Sequence, residues 1–224
     1  MLKQIFPNVI HIWPQFVQSI WDTIYMTFWS SLIAGLLGLG VGIVLVITQS
    51  GGIAEDPYVY SLTDKVVNFL RSIPFIILLA VMFPITNFIV GTTVGTTASL
   101  VPLVVGIFPF YARQVQNALL EIDPQVIEAA RSMGSSIPEI IFRIYLREGL
   151  PDLIRASIVT VISLIGLTTM AGAIGSGGLG DIAISIGYAR FENDVTVAAM
   201  LVILIMVFLV QIIGDWLAKK TVHL

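Results

Sequence analysis

Cysteine is absent from this 224-residue chain, which excludes disulfides, thiolate metal sites and cysteine nucleophiles. Charge is nearly as scarce: Lys, Arg, Asp and Glu make up 11% of the residues, less than half their share in an ordinary soluble domain. Histidine occurs twice, as His11 and His223, and two lone residues so far apart read as solvated or interfacial side chains rather than a metal site. No Gly-Lys pair occurs anywhere. The chain therefore lacks the glycine-rich phosphate loop, ending in Lys-Ser or Lys-Thr, that a self-sufficient ATP-driven pump needs. The short alternating segments of a membrane β-barrel are missing too. Near the N-terminus stands Lys3 with no small-residue cleavage site after it, so this stretch does not read as a secretory signal.

What is present is apolar. Hydrophobic residues make up 57% of the chain and the mean hydropathy is +0.96, so the first medium to consider is a bilayer. A helix needs about 20 mostly apolar residues to cross a hydrocarbon core of about 30 Å, and five stretches are expected to do so. The first, 27–47, lies in a segment without charge between Asp22 and Glu55. Before it, Phe6, Trp13, Phe16, Trp21 and Tyr25 alternate with Pro7, Pro14 and Gln15, the composition of a segment lying at the membrane surface. Ala34, Gly38 and Gly42 stand four apart on one face of this span, where another helix backbone can approach closely.

The uncharged stretch 72–112 is too long for one crossing and reads as a hairpin of two, about 66–85 and 94–112. This places Arg71 inside the inner end of the second span, where it can snorkel to water. Pro74, Pro84, Pro102 and Pro109 interrupt these spans. Spans four and five fit 154–173 and 195–214. With the N-terminus outside and the C-terminus inside, Lys65, Arg71, Arg113, Arg131, Arg143, Arg147, Arg155, Lys219 and Lys220 fall inside or at the inner boundary, against Lys3 and Arg190 outside, which satisfies the positive-inside bias.

The inner stretch between spans three and four carries helix punctuation. Asp123 is placed to cap a helix starting at Pro124, whose Val126, Ile127, Ala130 and Met133 share an apolar face ending at Gly134. Ser136 and Glu139 have capping-box spacing for a second helix continued by Ile140, Ile141, Ile144 and Tyr145. On pattern alone this is either an amphipathic connector on lipid headgroups or a protein docking site.

Glu128, Ala129 and Ala130, then Gly134 after three residues and Ile144 and Leu146 further on, resemble the cytoplasmic Glu-Ala-Ala loop of ABC importer permeases. Arg147 stands where that pattern usually has proline, and Pro151 follows four residues later. The stretches 69–78 (FLRSIPFIIL), 118–122 (ALLEI) and 170–180 (MAGAIGSGGLG), with Gly187 and Tyr188, look like the methionine importer permeases in particular. That resemblance implies an all-α polytopic membrane protein of five transmembrane helices, forming one permease domain over 1–224, with an N-terminal interfacial segment and a coupling loop at about 117–152. It implies residence in the bacterial cytoplasmic membrane beside lipid. The implied partners are a second copy of the chain, two ATPase subunits holding ATP and Mg, and an extracytoplasmic binding protein of lipoprotein type. Nucleic acid is not among them, and no cofactor or catalytic residue is expected on this chain.

In that reading Glu128, Ala129, Ala130, Met133 and Gly134 couple to the ATPase. Thr168, Thr169, Met170 and Ala171 are candidates for the translocation pathway or gate, with packing between helices the alternative for Met170. The cargo implied is methionine, and the residues do not separate L from D, another amino acid or a short methionine-containing peptide. An ion-coupled secondary transporter is the rival class, but Asp22 and Asp215 lie only at span ends, where they form no intramembrane relay. A membrane-embedded enzyme would need a convergent set of nucleophiles, bases or ligands, and none is seen. Gly175, Gly177 and Gly180 satisfy G-x-G-x-x-G, yet they follow a span rather than a strand, so tight turns are expected there and not a dinucleotide site.

Overall fold

The computed structural model describes residues 6–221, and Lys3 and His223 lie outside them. Every regular element among the described residues is helical. Helices α1 (Pro7–His11) and α2 (Trp13–Thr48) are followed by α3 (Pro57–Ser72), α4 (Phe75–Val81), α5 (Phe83–Val90) and α6 (Thr96–Leu120). After them come α7 (Pro124–Ser132), α8 (Ile137–Ile140), α9 (Leu146–Glu148), α10 (Leu150–Ala171), α11 (Gly178–Asp181) and α12 (Asn193–Thr221). Wider π-helical turns occupy Ile141–Tyr145, Gly172–Ser176 and Ile182–Tyr188.

Among the described residues, four helical stretches are long and apolar enough to cross a membrane: Trp13–Thr48, Thr96–Leu120, Leu150–Ser176 and Asn193–Thr221. They correspond to expected spans one, three, four and five. The expected second span, 66–85, is not one helix. Its first residues belong to the amphipathic α3, which starts at Pro57 because Asp56 caps it by accepting from the N–H groups of Tyr58 and Val59. It stops before Pro74, since a residue preceding proline is pushed out of the helical region, and Ile73 is indeed extended (φ −81°, ψ 122°). Arg71 therefore sits in the last turn of α3, outside the apolar helices that follow. Those are α4 and α5, joined through the helical Met82 and ended by the left-handed Gly91. Together they run for roughly 24 Å at 1.5 Å per residue, short of a full hydrocarbon core.

The N-terminal aromatic segment also differs from expectation. Trp13 to Tyr25 is continuous with the first span in a single 36-residue helix. A separate surface segment would leave its apolar side chains against headgroups, but Val9 and Phe16 are buried with Leu179, Ile182, Val195 and Ala199. Thr23 Oγ1 accepts from the N–H of Leu179 at 2.9 Å, so this half of α2 is part of a core. Trp13 and Trp21 remain exposed.

The chain divides into two compact units, the first made of residues up to Ile33, Pro74–Val105 and Val161–Val210, the second of Ala34–Ile73, Gly106–Thr160 and the chain from Gln211 on. In the second unit, the small-residue face of α2 has its neighbour in the same chain. A side chain at Gly38 would meet Tyr111, and one at Gly42 would meet Val115, so α2 and α6 pack backbone to side chain there. Arg113 on α6 is held by α3: its guanidinium donates to Asp64 at 2.6 Å and Asn68 at 3.0 Å, and within α6 to Gln116 at 2.6 Å.

Candidate functional site

The expected coupling loop lies wholly in the second unit. Its first helix, α7, begins where the sequence places it: Asp123 accepts from the N–H of Gln125 at 2.9 Å and Pro124 takes the first turn. It ends at Gly134, whose φ of +83° is the left-handed value that closes a helix. Nothing lies within 4 Å of where a side chain at Gly134 would start, so the glycine is needed for its backbone angle and not for space. At α8, the carboxylate of Glu139 reaches back to accept from both the N–H and the hydroxyl of Ser136, at 2.9 and 2.8 Å. These bonds hold the Glu139 carboxyl below its ordinary pKa.

The apolar face of α7 is split. Ala130 is 3% exposed and packs in a cluster with Val46, Tyr111, Val115, Ile140 and Tyr145, with Ile127 against it. Val126 and Met133, at 44% and 79% exposure, point away from that cluster, as do Glu128 and Ala129. Ala130 is thus a residue of this chain's own core, and the surface open to a partner is formed by Val126, Ala129 and Met133. Ile137 and Phe142 continue that exposed apolar surface beyond Gly134; sequence spacing gave no sign of Phe142, which stands in the π-helical turn Ile141–Tyr145, where the α-helical period is broken.

Beside α7 opens a cleft of about 600 Å³, lined by Gly51, Pro124, Ile127, Glu128, Arg131 and Tyr145 among others. Among the described residues Glu128 and Arg131 form no salt bridge. Burial raises the pKa of the Tyr145 phenol, and the nearby Arg131 charge opposes the shift. Gly51 is far from α7 in sequence, so no local pattern could have joined it to this cleft. The loop ends at α10, which carries Pro151 in its first turn, a position where the missing N–H costs nothing.

The second expected set, Thr168 to Ala171, belongs to the first unit. Thr168 and Ala171 are buried at 1% and 0% exposure. Both threonine hydroxyls donate to the carbonyl of Ile165, at 2.7 and 3.1 Å. Met170, at 42%, is the most open of the four. After α10 the chain turns through Gly175 and Gly177, both at positive φ, and returns so closely that a side chain at Gly180 would overlap the backbone carbonyl and Cα of Thr169. The G-x-G-x-x-G pattern here makes a tight reversal against a helix end. No strand precedes it among the described residues, as a dinucleotide fold would require.

The sequence pattern of a family described as "binding-protein-dependent transport system inner membrane component" matches residues 51–222. A probable D-methionine transport system permease protein of Pasteurella multocida is 42% identical, covering 95% of this chain and 98% of its own. The methionine import system permease protein of Bacillus subtilis is 46% identical, covering 96% of each. Among solved structures, the inward-facing MetNI methionine ABC transporter superposes with a TM-score of 0.92 at 42% identity, over 94% of this chain and 97% of that one. An amino-acid ABC transporter matches at a TM-score of 0.79 with 16% identity, which is likeness of fold alone.

Proposed function

The chain belongs to the family of binding-protein-dependent transport system inner membrane components, and from that premise we propose how its parts divide the work of import. It is the permease subunit of an ATP-driven ABC importer of methionine, and ATP is hydrolysed by a separate chain. The observation carrying this is identity of 42–46% to methionine permeases along nearly the whole length, matched by the 0.92 superposition on a methionine ABC transporter.

Two copies pair and dock two ATPase subunits, which hold ATP and Mg, and an extracytoplasmic binding protein delivers the amino acid in either stereochemical form. The chain crosses the cytoplasmic membrane five times, N-terminus outside, with α4 and α5 together making the second crossing. Their shortness fits a place surrounded by protein, where broken helices are tolerated. The loop at 117–152 transmits ATPase motion. Val126, Ala129 and Met133 meet the ATPase surface, Glu128 supplies an unpaired charge at its edge, and Gly134 sets the angle to the next helix. Ala130 anchors this assembly to the permease core, so a push on α7 reaches Tyr111 and Val115 on α6 through direct packing. In the first unit Met170 faces the pathway, while Thr168, Thr169 and Ala171 hold its helix in place.

Reconstitution tests the assignment. Vesicles holding this chain with its ATPase and binding protein are expected to accumulate methionine only when ATP is supplied, whereas the chain alone under a proton or sodium gradient is expected to accumulate none. Concentrative uptake by the lone chain would move it to the secondary transporters.

A further inference from the structure

Within the second unit an open groove of about 250 Å³ lies between α6 and α10, and most of the side chains lining it are polar: Gln114, Asn117, Glu121, Asp152 and Arg155, with Val159 at one side. These polar residues stand at the inner ends of the two helices, beyond the expected span 94–112 and at the start of the expected span 154–173. None of Gln114, Asn117 and Glu121 has a side-chain hydrogen bond or ion pair to another described residue. Arg155 is engaged by Asp152 through one nitrogen, at 2.8 Å, which leaves the remaining donors of its guanidinium fork unused by that pair.

We propose that this groove is a cytoplasmic-side binding site for a zwitterionic α-amino acid, through which cargo passes on leaving the permease. The inference rests on the reading of the chain as an importer permease. Its new content is a specific set of groups. The carboxylate of the amino acid takes the free donors of Arg155 and the amide N–H groups of Asn117 and Gln114, and its ammonium group takes Glu121. A simple anion meets the combined charge of Glu121 and Asp152 against one arginine. A simple cation leaves the arginine donors unmatched. A molecule carrying both charges a few bonds apart, with N–H donors on its cation, satisfies both sides: a free amino acid does so, and so does the ethanolamine headgroup of a phospholipid, whereas the quaternary ammonium of choline has no N–H to give Glu121.

The test uses the assembled transporter in vesicles of phosphatidylcholine and phosphatidylglycerol, free of ethanolamine lipid. Val159 lines the groove and is 48% exposed, and because the chain has no cysteine, Val159→Cys places a single thiol on it. L-methionine on the cytoplasmic side is expected to slow maleimide labelling of that thiol severalfold, while methionine amide and N-acetylmethionine, each lacking one of the two charges, leave the rate unchanged. Glu121→Gln and Arg155→Gln, added separately, are expected to abolish the protection. An unchanged labelling rate in L-methionine overturns the proposal, as does protection by ethanolamine lipid without any by methionine. Should the thiol variant not assemble, ATP-driven uptake decides: the two charge variants are expected to raise the KM or slow the rate severalfold, and parental kinetics in both overturn the site. Absence of methionine uptake in the parent transporter would instead sink the importer assignment, independently of this groove.

Discussion

Two glycine-marked reversals follow helices in this chain, one after the spanning α10 and one after the short α7, and they are held by opposite means. In the first unit, the turn after α10 closes backbone on backbone: a side chain at Gly172 would strike the backbone of Gly177, Gly180 and Asp181, and one at Gly180 would strike that of Thr169. In the second unit, Gly134 has empty space around it and only its φ demands glycine. The first reversal is therefore fixed by volume, the second by backbone angle. The second is also flanked by exposed apolar residues, among them Met133 and Phe142, and it lies in the unit that holds nine of the eleven Lys and Arg residues. A turn fixed by volume suits a part that keeps its shape, and an open one with an apolar surface suits a part that another protein grips.

The contrast breaks first at Gly180. Gly180→Ala puts a methyl group where the neighbouring atoms are backbone and cannot swing aside, so a stability loss of about 3 kcal/mol is expected, at the upper end of overpacking costs. A fall in the thermal midpoint of the purified permease by several degrees would show it, whereas an unchanged midpoint would mean that the reversal is looser than its geometry.

A pair of substitutions on α7 sharpens the comparison next. Ala130→Asp pushes a carboxylate into the cluster around Tyr111 and Val115 with no counter-charge beside it, for which a loss of about 2–3 kcal/mol is expected. Met133→Asp alters a side chain that is 79% exposed and is expected to leave the isolated permease as stable as the parent while abolishing co-purification with the ATPase. If Met133→Asp assembles and transports normally, the exposed face of α7 is not the docking surface. Ala130→Asp alone cannot settle that point, because its failure would report on the permease core.

The smallest effect is expected at Gly134. Gly134→Val forces a β-branched residue into the left-handed region at about 1–2 kcal/mol, without a clash. Gly134→Asn is expected to be much milder, since asparagine tolerates that region. Transport rates that rank parent, Asn, Val would support a conformational role for this position; equal losses in Asn and Val would point to space instead.

The sequence by itself determined the class of protein, because a chain with 57% hydrophobic residues and long uncharged runs can bury its backbone polar groups in a bilayer only by forming helices. It determined the local punctuation too, since Asp123, Pro124, Gly134, Ser136 and Glu139 act through bonds and angles within a few residues of themselves. The tertiary structure decided whatever depends on partners distant in the chain. It sent Ala130 inward and left Met133 outside, although both lie on the expected apolar face, because a helical stripe wider than its contact has an edge that remains uncovered. It drew the aromatic start of α2 into a core through Thr23 and Leu179, 156 positions apart. It also ended α3 after Arg71 and divided the expected second span, since a hydropathy window averages across the break that Ile73 and Pro74 impose.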